Sequence, residues 1–133
     1  NEARRYYQAL LVRDPKDPLA AAALASLASD REVEGSEGKL RQLYEAQPQA
    51  ATASALGSLL AKQGRWREAQ DFYFRAYSAA PGDPDHAFNL AVSLDALGER
   101  RLAAEYYGKA LAGSGGGFDR DAANRRLDAL GRP

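Results

Sequence analysis

Five aromatic side chains crowd one short stretch, GRWREAQDFYFRAYSAAPGDP, from Gly64 to Pro84: Trp66, Phe72, Tyr73, Phe74 and Tyr77. Rings in such number could stack on a base, a sugar or a proline-rich peptide. Their spacing is helical, and with Ala69, Ala76, Ala79 and Ala80 among them they read better as packing surface than as pocket wall. Tyr6-Tyr7 and Tyr106-Tyr107 read the same way. His86 is the only histidine, placed between Asp85 and Ala87 in the first turn of an expected helix. Catalysis or metal binding needs convergent partners. With no second histidine and no cysteine, neither role is supported. Ser54 and Ser58 have no base nearby in sequence, so nucleophilic catalysis has no basis. GSGGG, Gly113–Gly117, lacks the lysine and hydroxyl that follow a phosphate-binding loop and reads as a flexible connection. We therefore expect no enzyme activity, no cofactor and no metal.

The elements around these residues are helices. The chain has no isoleucine, and its β-branched residues are Val12, Val33, Val92 and Thr52. Alanine and leucine are abundant, so helices have the residues they favour and strands lack theirs. The 133 residues, 45% hydrophobic, suffice for one domain with its own core. Lysine plus arginine number 18, as do aspartate plus glutamate, and a net charge of zero argues against nucleic acid as partner. No apolar run reaches membrane-spanning length, so no direct membrane insertion is expected of this segment. No signal segment is visible, and the absence of cysteine names no compartment. A first residue of Asn rather than Met is expected of an excerpt, so an anchor or leader could precede it.

A repeat organises the helices. Leu56-Gly57, Leu60, Gly64, Ala69, Tyr73 and Ala76 recur as Leu90-Ala91, Leu94, Gly98, Ala103, Tyr107 and Ala110, each 34 residues on. Small residues at 57, 69, 91 and 103 let two helices approach, the tyrosines fill the space between units, and Gly64 and Gly98 end first helices. Spacing and chemistry resemble the tetratricopeptide repeat family, most closely from Ala50 to Leu111; Trp66 and Pro81 also match its pattern. The resemblance implies an all-α fold: a right-handed superhelical solenoid of antiparallel helix pairs, seven or eight helices in all. The expected organisation is a half repeat (1–16), a degenerate repeat (17–49), two repeats (50–83 and 84–117) and a capping helix (118–133). Helices are expected over roughly 2–13, 18–30, 36–47, 50–63, 66–79, 84–97, 100–112 and 119–130. Asp17-Pro18 and Asp83-Pro84 mark helix starts, Leu40, Leu43 and Tyr44 are expected in the core, and the turn Asp30–Gly35 lacks the glycine signature. LDALG at Leu94–Gly98 returns at Leu127–Gly131, which makes the last helix a solitary first helix.

Acids gather where first helices begin (Asp14, Asp17, Asp83, Asp85, Asp119, Asp121) and arginines at turns inside units (Arg31, Arg65, Arg67, Arg100, Arg101), as capping and helix dipoles favour. The resemblance further implies a concave face lined by first helices. Its candidate groove residues are Ala22, Ala23 and Ser26; Ser54, Ala55, Ser58 and Lys62; and Asp85, Phe88, Asn89, Val92 and Asp95. Relatives that clamp a carboxylate tail place several Lys, Arg and Asn side chains there. This chain has Asn89 at a matching place but Ser, Ala and Phe elsewhere, which argues against such a clamp. The expected partner is a protein, bound through a peptide or helix in a smooth trough. The style of the repeats is similar to that of bacterial pilus and secretion assembly scaffolds. Two other readings stay open: self-association into a homo-oligomer, and an accessory role to an enzyme outside this stretch.

Overall fold

The computed structural model describes residues 33–131. Over this span the chain forms six helices and no strand: α1 (Val33–Ala46), α2 (Ala50–Lys62), α3 (Trp66–Ala79), α4 (Pro84–Ala96), α5 (Arg100–Ala112) and α6 (Arg120–Leu130). The helices expected over 2–13 and 18–30, and the candidates Ala22, Ala23 and Ser26, lie outside the described residues. The expected seven or eight helices thus become six within this span, in the same all-helical solenoid.

Local chemistry accounts for the boundaries. Asp83 caps α4 through its side chain, which accepts from the backbone N–H of Asp85, and Pro84 stands in the first turn. Asp119 caps α6 in the same way, accepting from Ala122. α2 and α4 end alike. Arg65 N–H reaches Leu60 C=O at 2.9 Å and Gly64 N–H reaches Ala61 C=O at 3.0 Å; Glu99 to Leu94 and Gly98 to Asp95 repeat both bonds. This closure needs a left-handed residue, supplied by Gly64 (φ 73°) and Gly98 (φ 79°). The first described helix already includes Val33–Gly35, ahead of the start expected near 36. Gly35 has no positive φ and lies inside the helix, so the turn placed at Asp30–Gly35 does not extend through it.

Packing follows the repeat. α2 packs on α3 and α4 on α5 within units, α3 on α4 joins the units, and α2 also touches α4 directly. The core runs along these contacts through Leu40, Leu56, Leu60, Leu90, Tyr73 and Tyr107. Leu40 and Leu43 are buried as expected, while Tyr44 is half-buried with its ring edge-on to Phe72 at 5.8 Å. Burying large apolar side chains contributes roughly 1.5–3 kcal/mol each, and here that burial happens between neighbouring helices rather than around one centre.

Candidate interaction surface

α2 and α4 are the leading helices of the pairs α2–α3 and α4–α5, and they lie side by side. On α2, Ser54 and Ser58 are half-buried, and Lys62 ends the helix exposed. The Ser58 hydroxyl shares a hydrogen bond with Tyr73 Oη at 3.1 Å, so it also ties α2 to α3. Ala55 is 8% exposed and belongs to the core. Its placement on the open face is therefore corrected: one position from Ser54, it turns inward. Alanine suits either environment, so hydrophobic period alone could not assign it.

On α4, Asp85, Phe88, Asn89, Val92 and Asp95 are all half-buried. The chain's own C-terminal segment engages three of them. Asp85 Oδ1 accepts from the backbone N–H of Gly117 at 2.7 Å. The Phe88 ring stacks on Phe118, centroids 4.7 Å apart and planes 12° from parallel. Asp95 accepts from Arg126 Nε at 2.5 Å and Nη2 at 2.7 Å, and from the Tyr107 hydroxyl at 3.1 Å. The Arg126 guanidinium, with help from the Tyr107 hydroxyl, holds the Asp95 carboxyl below the usual aspartate range against the opposing effect of burial. Burial, followed by the Asp95 charge, pushes the Tyr107 phenol up. Phe88 is thus no free anchor, and Asp95 no free acid. Among the described residues, none of these hydrogen bonds, ion pairs or ring contacts from the C-terminal segment reaches Asn89 or Val92.

Phe72 and Tyr73 are buried and Trp66 and Tyr77 half-buried, but Phe74 is 47% exposed, so the packing reading covers four of the five rings. His86 is buried, with Nε2 3.6 Å from Asp83 and Nδ1 without a hydrogen-bond partner among the described residues. GSGGG is less free than expected. Arg120 donates to the carbonyls of Leu111, Gly113 and Gly115, gathering the end of α5 and the glycine run around one guanidinium.

Two features were not foreseen. Arg65 bridges units by pairing with Glu37 of α1 at 2.6 Å while also holding Glu68, and it draws the Glu37 carboxyl below its ordinary range. Arg41 joins through Glu37 at 3.0 Å. On the second-helix side, α1 and α3 frame a cleft of about 320 Å³. Phe72 lies beneath it, with the guanidiniums of Arg41 and Arg75 5.2 and 4.9 Å from its ring centre. The i,i+4 pairs Glu37–Arg41 and Asp71–Arg75 were visible in sequence; their convergence on Phe72 was not.

Residues 52–87 match the family model described as tetratricopeptide repeat. No curated protein sequence matches the chain. Solved structures of similar fold include a thermophilic TPR protein of Thermus thermophilus, with a TM-score of 0.77 at 23% identity over 98% of this chain and 72% of that one. YrrB, described as a TPR protein with an unusual peptide-binding site, gives 0.76 at 18% identity over 93% and 63%. The MamA protein gives 0.71 at 20% identity over 96% and 69%.

Proposed function

We propose, from the premise that this chain is a solenoid of tetratricopeptide repeats, that it is a protein–protein interaction module. It takes a peptide or helix of a partner along the concave face of its first helices. The carrying observation is the strip formed by Ser54, Ser58 and Ala61 of α2 beside Asn89 and Val92 of α4: half-covered positions with no long side chain among them. Solvated helix faces usually carry long charged residues, as the outer faces of α3 and α5 do here. Short residues leave room for a partner's backbone to approach, and Asn89 offers an amide to fix it. YrrB, which shares the fold, is described as having a peptide-binding site, in keeping with this class of partner. The proposed organisation remains two repeats at 50–83 and 84–117, preceded by a half repeat (1–16) and a degenerate one (17–49) and closed by a cap at 118–133.

Within this reading the module serves as a scaffold in assembling a bacterial multiprotein complex such as a pilus or secretion system. Its support is residue usage, rich in alanine and arginine and poor in lysine, and the style of the repeats. The test is capture of partners from the native source on immobilised wild type and on Ser54→Arg. Ser54→Arg should melt like wild type and lose the partners, because a long side chain then fills the strip. Equal recovery of the same partners by the folded variant would overturn the groove as the site.

A further inference from the structure

The contacts that hold the C-terminal segment fall into two classes. Phe118 on Phe88 and Arg126 on Asp95 join the segment to α4. Any copy of α4 could satisfy them. The bonds from Arg120 to Leu111, Gly113 and Gly115 instead tie the segment to its own connection. That connection, GSGGG, contains no proline, and Gly115 (φ 81°) and Gly116 (φ 88°) adopt backbone conformations that few other residues enter.

We infer that the segment from Phe118 to Leu130 is exchangeable: two copies of this chain associate by each docking its α6 on the other's α4 and α5. The occupant is a second copy because the complementary surface is already complete in the chain itself. Phe118 is the ring that stacks on Phe88, and Arg126 is the cation that saturates Asp95. A net charge of zero adds no long-range repulsion between copies. Reciprocal exchange preserves every α4–α6 contact, so only the connection decides between closed monomer and exchanged dimer. A short flexible connection gives the closed form an effective concentration on the order of mM. The Arg120 bonds add to that advantage. Removing the Arg120 bonds, which form only in the closed chain, therefore shifts the balance toward the dimer. This inference is independent of what binds the strip on α2, which the exchange leaves untouched.

Charge reversal in two separate chains tests it. Asp95→Arg alone, or Arg126→Asp alone, sets like charges against each other in a closed monomer. In a reciprocal heterodimer of the two variants, both contacts regain opposite charges. The two variants, carrying different tags, are mixed, warmed to open α6 and cooled, then examined by native mass spectrometry and tag co-purification. Heterodimer should exceed either homodimer at least tenfold, and the double variant Asp95→Arg/Arg126→Asp in one chain should return to a folded monomer. No enrichment of heterodimer, with the double variant folded, would overturn exchange. If a single variant is unfolded alone, recovery of soluble heterodimer on mixing supports the inference and failure to recover it counts against it. In an independent arm, Arg120→Ala in the otherwise unchanged chain should raise the dimer fraction several-fold by light scattering at matched concentration. A chain that stays as monomeric as wild type would contradict the role given to the connection.

Discussion

Tyr73 lies so close over Gly57 that a Cβ built on the glycine would stand 2.6 Å from both Cδ1 and Cε1 of the ring. No real side chain makes such a contact, and the ring cannot withdraw freely, because Tyr73 is 5% exposed and its hydroxyl is held by Ser58. The next unit solves the same problem differently. Ala91 replaces the glycine, and Tyr107 directs its hydroxyl to Asp95 rather than to the residue equivalent to Ser58.

Gly57→Ala should therefore destabilise the chain, although glycine to alanine inside a helix normally adds stability. Helix propensity favours the change by roughly 1 kcal/mol. Overpacking of a well-filled contact costs about 1–3 kcal/mol. With the ring pinned, the second effect should win, and urea denaturation should show a lower midpoint. The companion Tyr73→Phe keeps the ring and loses one hydrogen bond, so it should cost only about 0.5–1.5 kcal/mol. A Gly57→Ala chain more stable than wild type would mean that the ring moves aside.

The repeat positions were legible in the sequence because the chain states each of them twice. Leu56, Gly64, Ala69 and Tyr73 recur at 34-residue spacing, and the same packing problem is solved at both places. The helix starts at Asp83-Pro84 and Asp119 were legible because capping is local chemistry. What spans units was not. Arg65 could have paired with any nearby acid, and its partner Glu37 lies 28 residues away, chosen by how the helices rotate against each other. The same holds for Arg126 on Asp95. Ala55 and Phe88 were misplaced or misjudged for a related reason: pattern gives the face of a helix, but not which neighbour covers it.

Thr52 supplies a test of the core's one unpartnered hydroxyl among the described residues. Its side chain is 0% exposed, and Oγ1 has no hydrogen-bond partner. A buried hydroxyl without a partner forfeits the hydration it had in the unfolded chain. Thr52→Val keeps the shape and replaces the hydroxyl with a methyl. It should raise stability by about 1 kcal/mol, within the range for an unsatisfied buried polar group. Thermal melting would show it, and a lower melting temperature would mean that the hydroxyl does find a partner.

Arginine at two adjacent positions of α2 should behave oppositely. Ser54 is half-buried, and an arginine there can direct its charge to solvent along the helix. Ala55 is 8% exposed within the core cluster, so an arginine there must displace neighbours or bury a cation. Ser54→Arg should melt within a few degrees of wild type. Ala55→Arg should lose most of its cooperative transition. If the two variants melt alike, the register of α2 is wrong by one residue.

Acid should loosen the C-terminal segment before it unfolds the rest. Asp95 has its carboxyl held below the ordinary range by Arg126 and Tyr107. A depressed carboxyl contributes stability that is fully present above its unfolded value of about 4 and is lost as pH falls through the lower folded value. Glu37, depressed by Arg65, adds to the same slope at the other end of the described chain, so wild type alone would not separate the two. The difference between wild type and Asp95→Asn does. At neutral pH the variant should melt lower, because Arg126 loses its ion pair while Tyr107 keeps a weaker acceptor. As pH drops below about 4, protonation removes the same charge from wild type, and the gap should shrink toward zero. Protection factors of the α6 amides, corrected for the intrinsic pH dependence of exchange, should fall over that window in wild type and change much less in Asp95→Asn. A gap that stays constant down to pH 2 would show that the Asp95 charge does not hold the segment.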